Sequence, residues 1–378
     1  MSSGASIYLD FVRVLATNMV VVEHLGHIFE LKKTPRTGGA GVVLFFLLSG
    51  FLISLTATRR LSAARPQFIP FMLDRACRLL VPFVPTLVAV AVINAAVPLA
   101  ARGASLGNNR GPAAFLGNLL LLNDYPVLQA LSHIVAPGRA YIRSYNTAEP
   151  FWTIPIEFWI YAMFSLLFFT YIAGERIALS LRAPLLALGL PVLLWNSFAG
   201  GSGDLVLVWL VGAAFAYLWF TRLAVARNRP QLGRIAVAFG LLGFLGRIAK
   251  VGYHAYEFQQ NVFVALMMFG ILCCMPNVLE EGRGSVFIKW LASYSYSLYL
   301  VHNTLIVLIY EHAPHVFGSR APAVAFLASH ALAYLWYLAF ERHYSTVARW
   351  LHRKTSLSSD AVRDVPAVRM VGREADLR

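Results

Sequence analysis

The chain has 378 residues, of which 58% are hydrophobic and only 13% charged, and it carries a net charge of +14. A soluble domain of this size is usually about a quarter charged, so with a mean hydropathy of +0.63 the composition excludes a water-soluble globule and indicates a polytopic membrane protein. The basic surplus would suit nucleic acid, but it sits in short loops between apolar runs, where positive residues mark the cytoplasmic side, so no nucleic-acid partner is expected.

Apolar runs near the ~20 residues needed to cross a bilayer predict an all-α helical bundle of about ten transmembrane helices. They cover 8–30, 40–58, 79–100, 151–173, 183–197, 204–221, 235–248, 260–278, 290–311 and 321–341. The first run lacks a basic leader and a small-residue cleavage site, so it is expected to stay in place as a helix. The seventh is the weakest, because Gly240, Gly243 and Gly246 thin it and Arg247 with Lys250 cut it short. Segments 59–78, 222–234 and 342–354 each hold four or five Lys or Arg, whereas 198–203 holds none and 312–320 only Arg320. That bias puts both termini in the cytoplasm, with Lys32, Lys33 and Arg36 counting against it.

The long outer loop 101–150 is rich in Gly, Asn and Pro and carries His133, Arg139 and Arg143. It is expected to cover the outer mouth of the bundle. A membrane domain over 1–342 is followed by 343–378, a basic juxtamembrane segment whose end, from about 355, lacks periodicity and is expected to be disordered. Cys77, Cys273 and Cys274 give neither a disulfide framework nor metal-ligand spacing and suit small apolar fillers. Histidines 254, 312, 315, 330, 343 and 352 are scattered, and no metal is expected.

Charged groups inside apolar helices are costly and mark functional pathways. Arg13 and His24 are eleven residues apart, about three turns and ~16 Å along one helix face, with Asp10 and Thr17 in the same stripe. Histidine is the usual general base near neutral pH; in a packing role, His24 would be a satisfied core residue and Arg13 would snorkel. Asp10 stands one turn before Arg13 and can pair with it, which leaves positioning and direct binding both open. Glu23 points to a different face and is a poor orienting carboxylate for His24.

Arg75 and Arg78, at i and i+3 just before the third helix, offer guanidinium forks for phosphate oxygens or plain topological anchoring. Glu157, near the outer end of the fourth helix, must be paired, protonated or wet. Tyr161 follows one turn later on the same face, and Pro155 would kink the helix unless it falls in the first turn. Ser295, Tyr299 and His302, at i, i+4 and i+7, share one face of the ninth helix, as helix-bridging glue or as pocket lining. Gly41 and Gly50 suit close helix packing, and Ser49 between them could line a pocket.

Five segments recur in a telling order: Leu9–Arg13 with His24, Gly41–Leu52, Arg75–Leu79 with Pro82, Trp152–Glu157, and Ser295–His302. Together they resemble the membrane-bound acyltransferase-3 family, which O-acylates extracytoplasmic sugars, over roughly residues 7 to 342. The resemblance implies that Arg13 and His24 match the family's Arg/Lys-x10-His motif, with His24 essential to acyl transfer. It implies donor binding for Arg75 and Arg78, acceptor-hydroxyl binding or support of His24 for Glu157, and pocket lining for Ser295, Tyr299 and His302.

On that resemblance the expected reaction moves an acyl group, acetyl before others, from cytoplasmic acyl-CoA to a sugar hydroxyl. Acetyl-CoA would be a donor substrate and not a resident cofactor. The acceptor would be an extracytoplasmic polysaccharide or lipid-linked oligosaccharide, an exopolysaccharide repeat unit ahead of O-antigen or lipo-oligosaccharide. His24 would deprotonate the hydroxyl or carry the acyl group as a relay; an acyl-serine at Ser295 is a further route, with no base placed beside it. The expected location is the bacterial inner membrane, alongside other polysaccharide-assembly proteins. Longer family members append a soluble hydrolase-like domain, and this chain is expected to act without one. The alternative from another class is a membrane transporter of acylated metabolites or sugars, which inverted repeats would favour; none is visible.

Overall fold

In lipid every backbone polar group must be satisfied within the chain, and helices do so segment by segment. The computed structural model describes residues 3–32, 34–61, 67–97, 109–135, 142–198, 204–223, 228–276 and 282–363, and among them all regular structure is helical. The helices are α1 Ser3–Ile28, α2 Gly38–Arg59, α3 Phe68–Ala96, α4 Pro112–Leu119, α5 Pro126–Val135, α6 Thr153–Leu167, α7 Leu179–Phe198 and α8 Leu205–Leu218. They continue as α9 Arg229–Val251, α10 Phe258–Cys274, α11 Arg283–Ser293, α12 Ser295–His312, α13 Pro314–Phe317, α14 Ala321–Ala339 and α15 Tyr344–Arg363. Among the described residues, eight helical stretches are long and apolar enough to cross a membrane, and α10 is a shorter apolar helix. Each of the ten expected segments coincides with a helix.

Four boundaries differ from expectation, two of them for a tertiary reason. α3 begins at Phe68 and not at 79, so Arg75 and Arg78 lie inside the helix, two to three turns from its start. The helix start is sealed by a distant carboxylate: the backbone N–H groups of Gln67 and Phe68 donate to Glu175 Oε1 and Oε2 at 2.6 and 3.1 Å. Such a side chain satisfies the orphan donors of a first turn, and chain order gives no hint of it. The seventh helix, α9, is full length, because Gly233 and Gly240 mark its close crossing with α10: a methyl on either would strike the backbone oxygen of Gly270 or Phe263. The expected ninth helix is two, α11 and α12, divided at Tyr294. Beyond 355, α15 continues as helix to Arg363.

Pro155 falls in the first turn of α6 after a 3₁₀ turn at Glu149–Trp152, so it leaves the helix straight at that point. α2 crosses α8 at Gly50 and Gly212, where a methyl on one would meet the carbonyl oxygen of Trp209 and on the other that of Leu47. Gly41 likewise lets α2 approach the Ala16 carbonyl of α1. These glycines are there for close packing, as the sequence suggests. Cys77 and Cys273 are buried and Cys274 partly so, all of them free thiols.

The described parts of the outer loop, 109–135 and 142–150, are built and not slack. α4 and α5 fold over the bundle, and Ser144–Ala148 are buried beneath them. Asn118 pins this segment by donating to the Arg143 carbonyl at 2.9 Å and accepting from the Tyr145 N–H at 3.1 Å. Arg139, the His133 side chain and Lys33 lie outside the described residues.

Candidate active site

Helices α1, α2, α3, α6 and α12 enclose a chamber of ≈ 150 Å³ whose walls are mostly apolar. Its polar lining is Arg13, Ser49, Arg75, Arg78, Glu157 and Tyr161, with Ser295, Thr153 and Tyr299 alongside. Three guanidinium groups thus face a low-dielectric space that holds one carboxylate. Arg75 lies over the Phe71 ring at 5.3 Å, and its buried Nε has no hydrogen-bond partner in the protein. A buried donor without a partner is expensive, and here it borders a cavity where an anion would satisfy it.

Arg13 and Arg78 also line a second cavity of ≈ 270 Å³, with Asp10, Lys289, Glu341 and Arg342. This is a vestibule on the side of α11 and α15, and the two arginines stand between it and the chamber. Asp10 and Arg13 form the expected ion pair, at 3.0 Å. Arg78 lies over the Tyr344 ring of α15 at 5.0 Å. Glu341, which is 2% exposed, accepts from the Ser297 N–H and hydroxyl at 3.0 and 2.6 Å and shares its charge with Arg78 and Arg13. That compensation lets two arginines sit this deep.

Glu157 ends a directed chain of hydrogen bonds. Trp209 Nε1 donates to Ser49 Oγ at 3.1 Å. Ser49 pairs with the Tyr161 hydroxyl at 2.8 Å, which donates in turn to Glu157 Oε1. Every donor points the same way, so the chain fixes the carboxylate as an acceptor. Glu157 is held by Tyr161 while His24 bonds Asn303, so the expected support of the histidine by Glu157 is not a direct contact. Ser295 donates to the Ala292 carbonyl at 2.9 Å in the first turn of α12.

His24 stands above the chamber roof and not in its wall. The roof includes Tyr299, whose hydroxyl donates to the Pro150 carbonyl at 2.9 Å and pairs with Thr153 at 2.7 Å, and Phe45, 5.9 Å from the Tyr299 ring. Beyond Tyr299 lies His302, 6.1 Å away between ring centroids, and beyond that His24, a further 5.2 Å. Three rings therefore run from the chamber to the half-buried histidine. His302 is fully buried; its Nδ1 meets the Leu298 carbonyl at 2.9 Å, and its Nε2 has no partner in the protein. His24 Nδ1 lies 2.5 Å from Asn303 Oδ1. Glu23, beside it in sequence, instead caps α2 by accepting from the Gly38 N–H at 2.6 Å.

All nine residues singled out from the sequence lie on these two neighbouring cavities or beyond the chamber roof. Asn303, Glu341, Lys289 and Tyr344 were missed. Asn303 had a signal, since His302-Asn303-Thr304 is a run of three polar residues inside an apolar helix. Glu341, Lys289 and Tyr344 had none, because they join the site only through the packing of α11, the 3₁₀ turn Glu341–His343 and α15 against α1 and α3.

A family model described as an acyltransferase domain matches residues 6–342, and the chain belongs to that family. It is similar to the peptidoglycan O-acetyltransferase OatA of Listeria monocytogenes, at 25% identity over 326 residues that cover 79% of this chain and 49% of that protein. The chain spans about half the length of the curated relative it matches. No solved structure matches it.

Proposed function

We propose that this acyltransferase is an O-acetyltransferase of the bacterial inner membrane. It takes an acetyl group from cytoplasmic acetyl-CoA and places it on a sugar hydroxyl of an extracytoplasmic polysaccharide or lipid-linked glycan, an exopolysaccharide repeat unit in the first instance. The observation that carries the proposal is a cationic vestibule beside a chamber lined by Arg13, Arg75 and Arg78, with the His24 imidazole beyond the chamber roof, two ring contacts from Tyr299. Phosphates of a coenzyme A donor suit guanidinium forks. The apolar walls suit its pantetheine arm, and the vestibule has the cations for the nucleotide end. The similarity to a peptidoglycan O-acetyltransferase supports acetyl as the group and a surface glycan as the acceptor class.

In the proposed reaction the thioester reaches past Phe45 and Tyr299 to His24. The acceptor hydroxyl oxygen attacks the thioester carbonyl while an imidazole nitrogen of His24 takes the hydroxyl proton. A C–O bond forms, the C–S bond breaks, and the proton leaves with the coenzyme A sulfur. Donor and acceptor meet in one site, and positioning supplies much of the rate.

The test is labelled acetyl-CoA given to purified protein in liposomes with added glycan, peptidoglycan fragments compared with exopolysaccharide. Label on the glycan supports the proposal, and the preferred acceptor shows as the higher kcat/KM. Passage of unmodified acetyl-CoA or sugar across the bilayer with no label transferred contradicts it and supports a transporter.

A further inference from the structure

We infer that Asn303 is a positioning residue that sets the tautomer of His24, and that the buried outer segment around Thr147 holds Asn303 in place to do so. The inference rests on the acyl-transfer role proposed for His24 and adds a residue to it.

The Asn303 amide is oriented by what its other end does. Its Nδ2 donates to the Thr147 carbonyl at 2.7 Å, a partner that can only accept, so Oδ1 is the atom facing His24. An amide oxygen is also only an acceptor. The 2.5 Å contact with His24 Nδ1 therefore places the proton on Nδ1 and leaves the lone pair on Nε2. In the neutral ring one nitrogen donates and the other accepts, so Asn303 selects Nε2 as the nitrogen able to take a proton.

Thr147 is fixed in its turn. It is 2% exposed, its hydroxyl pairs with Thr304 at 3.0 Å, and Asn94 of α3 donates to that hydroxyl at 3.2 Å. Asn146 beside it adopts a left-handed backbone at φ 43°, which asparagine tolerates. The Asn303 amide thus joins the outer segment to α12 and α1, and the Thr147 hydroxyl ties that segment to α3. A neutral amide orients the imidazole without the second negative charge that a carboxylate would bring. Glu23, the carboxylate nearest in sequence, is committed to the α2 cap.

The experiment has one measurement on the wild-type protein and one on a variant. Histidine-selective ¹⁵N NMR in detergent micelles, with His24 assigned from the H24A spectrum, is expected to show protonated Nδ1 and a lone pair on Nε2. Protonated Nε2 on the neutral ring would overturn the inference. Asn303→Leu keeps the size and removes the acceptor; kcat is expected to fall at least about tenfold with the KM for acetyl-CoA within twofold, and the His24 signals to move toward protonated Nε2. A wild-type kcat with an unchanged tautomer in N303L would also overturn it. Full activity in H24A would instead refute the role of His24 itself, and H24A inactive beside a fully active N303L would refute only the positioning by Asn303.

Discussion

The rings of His24 and His302 meet edge to face across α1 and α12, with centroids 5.2 Å apart and planes at 75°. His302 is sealed from water and gains one hydrogen bond through Nδ1, yet its Nε2 is buried with no partner in the protein. An orphaned polar atom of that kind costs about 1–3 kcal/mol. A residue kept for packing alone would be better as phenylalanine. H302F is therefore expected to unfold at the same or higher temperature than wild type while losing about tenfold in kcat. Unaltered turnover in H302F would assign His302 to packing.

If the proposed acetyl-CoA donor binds here, its recognition divides between the two cavities. Arg75, with its unpartnered Nε in the chamber, is expected to make a charge-assisted contact of about 1.5–3 kcal/mol, so R75A should raise the KM for acetyl-CoA by about 10- to 100-fold. Lys289 lines the wetter vestibule, where screening is stronger. K289A should raise the same KM only severalfold, and the difference from wild type should shrink as salt is added. The acceptor KM should stay constant in both, as initial rates at varied substrate would show.

The chain ending on Glu157 makes a structural demand besides any chemical one. Tyr161→Phe removes the hydroxyl that receives from Ser49 and donates to Glu157, leaving a partly buried carboxylate short of a donor. A loss of about 1–3 kcal/mol is expected, read as a lower thermal unfolding midpoint in detergent. Glu157→Gln should restore part of that loss in the Y161F background, because the neutral amide asks less of its surroundings.

The α2–α8 crossing is held by the absence of side chains. Gly50→Val would push a branched side chain onto the Trp209 backbone, and overpacking costs about 1–3 kcal/mol or more. G50V should give less folded protein in the membrane and lower activity in proportion, with KM values unchanged in the fraction that folds.

Outside the membrane-spanning segments, Glu257 caps α10 and pairs with Arg247 at 3.0 Å. Burial alone would raise its carboxyl, but the hydrogen bonds from Arg247 and the Gln260 N–H outweigh burial and hold it below the ordinary value of 4.5. A depressed folded-state value adds stability that is fully present above pH 4.5 and is lost as pH falls through the folded value. The stability difference between wild type and E257Q should therefore be largest near neutrality and vanish in acid, as thermal unfolding at several pH values would show.

Much of this architecture was legible in the chain. Apolar runs of bilayer length gave the ten segments, and the placing of Arg13, His24, Glu157 and Tyr299 within them gave the core of the site. Spacing on one helix was enough for the Asp10–Arg13 pair, because both residues lie on one face one turn apart. What escaped depends on packing between distant elements. Glu175 lengthens α3 from more than a hundred residues away, and Gly240 looked like a weakness until its contact with α10 gave it a purpose. Local sequence offers His24 carboxylates as orienting partners, whereas α12 delivers an amide. Local pattern places residues on a face; it does not say which faces meet.

The most direct measurement compares acetyl transfer to glycan by wild type, H24A and E157Q, each reconstituted at equal density in liposomes with saturating labelled acetyl-CoA. General-base catalysis contributes about 10²–10⁴-fold, so H24A is expected to fall by about 10³-fold or to background while still binding acetyl-CoA, and E157Q to keep a measurable rate. If H24A turns over near the wild-type rate and E157Q is dead, the proton is taken inside the chamber, and the histidine above its roof is not the base.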